Sequence, residues 1–185
     1  LADPNHRRAF GFTAMLMLTG FTIIPFVTIY MQANVGLVDE QIPYLYLCGG
    51  LATLVSARLF GRMTDRYGKV RTFNWLGIAV MFPIMATTLA PRLPLWVVLI
   101  IASSLFVFLS GRMIPGMALV TSAAYPPLRG TFMALNASVQ SGAMGLASLL
   151  GGFIISRDAA GQVQHYWVAG LFSVGASFAA IFMAR

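Results

Sequence analysis

The residues able to do chemistry are few and fall in two places. The densest cluster is Gly61-Arg62-Met63-Thr64-Asp65-Arg66-Tyr67-Gly68-Lys69-Val70-Arg71, of pattern G-x-x-x-D-R-x-G-K-x-R. Gly61 can admit a close neighbouring helix, and Gly68 permits a tight turn. Asp65 is the one acid among these bases. It can bond the arginines around it or cap the positive N-terminus of a neighbouring helix. Such contacts can latch one state of a moving assembly and break without covalent chemistry. A plainer role is a basic loop that fixes orientation in a membrane.

The second place is a set of polar groups inside apolar runs. Arg112 stands well within one, where a charge costs a few kcal/mol or more in lipid. Either it faces a cavity or an interface between two bundles, or the run is shorter and Arg112 lies near the membrane surface. Asn136 and Gln140 lie four residues apart on one helix face, able to line a cavity or to bond across helices. Pro115 frees a backbone carbonyl near Arg112.

The elements that carry these groups follow from composition. Of 185 residues, 58% are hydrophobic and only 9% charged. A water-soluble chain carries about a quarter charged residues, so lipid is the expected solvent. A spanning helix takes about 20 apolar residues, and six runs qualify: Phe10 to Tyr30, Pro43 to Phe60, Thr72 to Ala90, Leu95 to about Ala124, Gly130 to Ser156 and Tyr166 to Ala184. They do not alternate with period two, which favours helices over a barrel. Pro25 is expected to kink the first run by its missing amide. Ser141/Gly145, Ala147/Gly151 and Ser148/Gly152 have small-xxx-small spacing, a packing signal in lipid. The chain is read as one six-helix transmembrane domain over residues 1–185.

Charge tests the count. Six spans leave both termini on one side, with Arg7, Arg8, Arg58, Arg62, Arg66, Lys69, Arg71, Arg129 and Arg185. The other side holds Arg92 and Arg157, with Asp39, Glu40 and Asp158. The imbalance predicts cytoplasmic termini and a cytoplasmic Gly61–Arg71 loop in an inner, cytoplasmic membrane.

Other classes fit poorly. The net charge of +7 sits at the ends of apolar runs, not in a stripe on a polar domain, so nucleic acid is not expected as a partner. His6 and His165 lack metal-ligand spacing, and Cys48 is expected to pack within a span. No Ser/His/Asp set, paired carboxylates or phosphate-binding Gly-rich loop occurs, so neither an enzyme, a cofactor nor ATP drive is expected.

The Gly61–Arg71 pattern resembles the signature loop between the second and third helices of each half of a major facilitator superfamily transporter. A second stretch, Gly111-Arg112 through Pro115-Gly116 and then Pro126-Pro127-Leu128-Arg129-Gly130 to Asn136, is similar to the tenth and eleventh helices of bacterial drug and sugar efflux members, the proton-antiporter branch. The resemblance implies an all-α membrane protein, a half-bundle of six transmembrane helices in a 3+3 repeat, equivalent to helices seven to twelve. Arg112 and Gly116 share the form of a motif usual in the other half, so coupling roles do not transfer to Arg112. The resemblance makes Met17 and Phe21 candidate cavity residues, beside Arg112, Asn136 and Gln140, and makes Gly61, Arg62, Asp65, Arg66, Gly68, Lys69 and Arg71 a gating loop. It implies efflux of a small-molecule substrate by alternating access, with a second six-helix half as partner: the chain's own N-terminal half, a separate chain, or a homodimeric copy. The start at Leu1 leads us to expect a preceding segment. The competing expectation is a non-transporting membrane fragment or assembly module.

Overall fold

The structure is a computed structural model that describes residues 4–124 and 126–184. Leu1, Ala2, Asp3, Tyr125 and Arg185 lie outside the described residues. Six helices long and apolar enough to cross a membrane run over Asn5–Val35, Asp39–Tyr67, Lys69–Thr88, Leu95–Ser122, Arg129–Ile154 and Tyr166–Met183. They are named the first to sixth spans.

Several bounds differ from the apolar runs for one reason. Helices continue past the hydrocarbon wherever long side chains can reach polar surroundings. The second span therefore runs seven residues beyond Phe60, through Arg62, Asp65 and Arg66, to Tyr67. The expected Gly61–Arg71 loop is accordingly a correction. It is helix except at Gly68, and the next helix begins at Lys69. Ser156, expected at the end of the fifth helix, instead pairs with Gln164 in a two-stranded antiparallel hairpin, Ser156–Arg157 against Val163–Gln164. Asn34 holds this hairpin to the first span. Its Nδ2 donates to the Val163 carbonyl at 3.0 Å, and the Val163 amide donates to its Oδ1 at 2.8 Å.

Three spans are interrupted just before a proline, whose missing N–H and ring clash disturb the carbonyl four residues earlier. The first breaks at Thr22–Ile23 before Pro25, and the third at Val80 before Pro83. The fourth is interrupted at Arg112 before Pro115. The most extensive packing joins the second span to the fourth and the first to the fifth. Exchanging spans one and two with four and five maps one pair onto the other, as two three-helix units would require.

Two apolar cores fill the bundle. One, around Ile23, Leu105 and Tyr166, lies toward the hairpin end. The other, around Phe12, Leu16, Phe73 and Phe132, lies toward the Gly68 end. The outer surface is apolar as well: Val55, Phe82, Phe153 and Phe182 are all largely exposed. Burying such groups in water-free surroundings is favourable at about 25 cal/mol per Å², and a lipid shell supplies that. Trp96 and Trp167 open the fourth and sixth spans at the hairpin end, while Tyr67 and Trp75 stand near the other end. Aromatic rings at both ends match the two interfaces of a bilayer.

Candidate functional site

The Gly68 turn is built by backbone geometry. Gly68 has φ 87° and ψ 153°, a conformation that a Cβ opposes. Its amide donates to the Thr64 carbonyl at 3.1 Å, ending one helix. Its carbonyl accepts from the Thr72 amide at 3.1 Å, starting the next. The Thr72 hydroxyl donates to the Met63 carbonyl at 3.1 Å, tying the two helices across the turn. Lys69 reaches out of the turn, and its ammonium donates to the Ser122 hydroxyl at the end of the fourth span. The Arg66 guanidinium lies 5.5 Å from the centre of the Tyr67 ring.

Asp65 differs from expectation. Its carboxylate is exposed, no ion pair holds it among the described residues, and no side chain caps the helix that begins at Lys69. Gly61 also meets nothing among the described residues: a Cβ built there has no neighbouring atom of theirs within 4 Å. Arg62 and Arg71 are exposed. Gly68 and Lys69 thus act within the bundle, whereas Gly61, Arg62, Asp65 and Arg71 point away from it.

Arg112 occupies the centre of the bundle and is only 1% exposed. The alternative of a shorter fourth run is corrected, because the helix continues through Arg112 to Ser122. Its Nη2 donates to the Leu16 carbonyl of the first span at 2.9 Å, and its Nη1 to the Ser177 hydroxyl of the sixth at 3.4 Å. Ser177 in turn donates to the Gly77 carbonyl of the third span at 3.0 Å. One guanidinium so links four spans. Its Nε has no partner, and no carboxylate accompanies it. Within this chain the head group reaches backbone and hydroxyl oxygens rather than an open cavity.

The remaining candidates fall on the contact between the first and fifth spans. The Thr13 hydroxyl donates to Asn136 Oδ1 at 2.7 Å, with both side chains buried. Asn136 therefore bonds across helices. Met17, one turn beyond Thr13, is buried, while Phe21 and Gln140 are half-buried. The small residues of the fifth span divide by face. Ala143, Ala147 and Gly151 are buried, and a Cβ on Gly151 would lie 2.5 Å from the Thr22 carbonyl oxygen. Ser141, Gly142 and Gly145 face outward, and a Cβ on either glycine would meet nothing within 4 Å.

Sequence reasoning missed Ser177 and the Lys69–Ser122 bond. The signal for the first was present: Ser173 and Ser177 lie four apart in an apolar helix, on one face. No group of three or more His, Cys, Asp or Glu side chains suited to a metal occurs among the described residues.

The sequence model described as Major Facilitator Superfamily matches residues 9–185. No curated protein matches the chain. No solved structure matches it either.

Proposed function

The chain belongs to the major facilitator superfamily, and from that premise we propose that it is one six-helix half of a secondary transporter that exports small organic molecules by proton antiport. Alternating access needs two bundles rocking about a site between them, so a second six-helix unit completes it. The observation that carries this reading is uneven burial. In the most apolar stretch of the first span half the residues are buried, against 11% in the second span and 17% in the fifth. On the outward face of the fifth span Ser138, Ser141, Gly142 and Gly145 stand together, followed by the exposed apolar side chains Leu146, Leu149 and Phe153. Small and hydroxylated residues suit close helix contact better than lipid contact. On the second span, Gly61 and Asp65 have room and bonding capacity that this chain leaves unused.

The proton carrier in this reading lies on the second half. The five acids of the chain are Asp3, Asp39, Glu40, Asp65 and Asp158; Asp3 precedes the first apolar run in sequence, and none of the other four sits in the middle of a span. Arg112 supports the bundle from inside, bonding helices that must move as one body. Both termini and the Gly68 turn face the cytoplasm, because the basic residues gather at that end.

The test is reconstitution of the chain with a second six-helix half in proteoliposomes, with ethidium as a probe and an imposed pH gradient. Flux that follows the gradient and disappears with Asp65→Ala, in a variant that still folds, is the expected result. A native mass measurement in mild detergent runs beside it. A monomer that never joins a second six-helix unit overturns the proposal.

A further inference from the structure

A groove opens between the second and third spans beside the Gly68 turn. It has a volume of about 370 Å³ and is lined by Met63, Tyr67, Arg71, Thr72 and Trp75. Its walls have an order. On the third span, Arg71, Trp75, Ile78 and Phe82 recur at three- and four-residue intervals and so share one face. All four are exposed, with Trp75 at 67% and Phe82 at 81%. On the second span, Tyr67, Met63, Leu59 and Val55 recur every four residues and form the facing ridge. The two helices pack beside the turn and separate beyond Ala79, leaving a wedge between the ridges.

The chemistry changes along this wedge from charged to apolar. At the apex stands Arg71, whose guanidinium has no hydrogen bond or ion pair among the described residues. Arg66 lies over the adjacent Tyr67 ring. Asp65 is halfway between Met63 and Tyr67 in sequence, so it projects from the opposite side of the helix and does not neutralise the apex. Thr72 is held by its bond to the Met63 carbonyl, which fixes the floor. Below the apex only apolar side chains follow. We propose that this wedge binds an anionic phospholipid, with the phosphodiester on Arg71 at the apex and an acyl chain along Trp75, Ile78 and Phe82. A free arginine at the interfacial end and a continuous apolar track at the other complement a phosphodiester joined to a hydrocarbon chain. The site is independent of what the protein transports.

Trp75 provides the readout. Trp96 and Trp167 stand at the opposite end of the bundle, so Trp96→Phe with Trp167→Phe leaves one reporter in the groove. The full chain carrying these two changes is titrated with phosphatidylglycerol brominated on its acyl chains, and separately with brominated phosphatidylcholine. Trp75 quenching should require about fivefold less of the anionic lipid, the ratio expected for one basic side chain near an anionic headgroup. Arg71→Gln should remove that preference, and Arg129→Gln, a basic residue at the same end outside the groove, should preserve it. Inorganic phosphate, which has no acyl chain, should leave the quenching unchanged. Equal quenching by the two lipids, a preference that survives Arg71→Gln, or displacement by inorganic phosphate would each overturn the proposal.

Discussion

Replacing the buried Arg112 by methionine should stabilise the bundle. The guanidinium is withdrawn from water, and no carboxylate offsets that withdrawal. Burying an ion costs several kcal/mol even after relaxation. Against this stand one good hydrogen bond to the Leu16 carbonyl, one long bond to Ser177 and an unpaired Nε. Bonds to a charged donor contribute about 1.5–3 kcal/mol each, and the 3.4 Å contact lies at the weak end of that range. The change also orphans little. The Leu16 carbonyl belongs to the helix Pro4–Phe21, whose ladder supplies it with an amide donor. Ser177 keeps its bond to the Gly77 carbonyl. The balance favours methionine by about 1–3 kcal/mol, in line with buried ions replaced by apolar groups of similar size. For a chain of this length that raises Tm by about 2–12 °C. Fluorescence-detected size exclusion after heating, in one detergent, measures it. Arg112→Ala separates charge from volume, because it leaves a cavity and loses part or all of the gain. A fall of several degrees for Arg112→Met would refute the reasoning, and would mean that the bonds to Leu16 and Ser177 outweigh the desolvation of the charge.

Further outcomes follow from particular contacts. Gly68→Ala places a Cβ at φ 87° and should cost about 1–3 kcal/mol; Gly61→Ala, with open space around it, should leave the melting temperature of the chain unchanged while lowering flux in the assembled transporter. Gly151→Ala should lower Tm by several degrees because a Cβ meets the Thr22 carbonyl and the Phe26 ring, whereas Gly145→Ala should have no effect on the same thermal scan. Thr13→Val leaves Asn136 Oδ1 without its donor and should cost about 0.6–2 kcal/mol, read by the same assay. The Gln162 amide, with Gln164 and the Ala160 amide, holds the Asp158 carboxyl below the usual carboxylate range. The carboxylate bonds therefore support the hairpin fully above the ordinary carboxylate pKa and fade as pH falls through the lowered value; hydrogen exchange at the Gln162 amide should stay slow until then, and Asp158→Asn should remove that pH dependence.

The sequence made the six spans legible because hydrocarbon imposes length and apolarity on every helix. Their ends were less legible. Arg62, Asp65 and Arg66 are polar, yet they continue a helix because its backbone needs no apolar side chain once it has left the hydrocarbon. The turn at Gly68 was readable from one glycine between two charged stretches, and its positive φ agrees. Gly61 carried the same residue type without the same use, since no described residue approaches it. Arg112 was visible as an anomaly, but its partners were not. A backbone carbonyl at Leu16 and a hydroxyl at Ser177 leave no mark in composition or charge. Which small residues of the fifth span pack inward also escaped the pattern, because three pairs share one spacing and only the neighbouring span distinguishes their faces.

The central claim is that the small-residue face of the fifth span, with Gly61 and Asp65 of the second, meets another six-helix unit while the third span meets lipid. Oxygen collision rates of spin labels at Ser141→Cys and Phe82→Cys, each in a Cys48→Ala background and in native membrane vesicles, test it most directly. The account predicts frequent collisions at position 82 and a several-fold lower rate at position 141. Equal, lipid-like rates at both positions would contradict it.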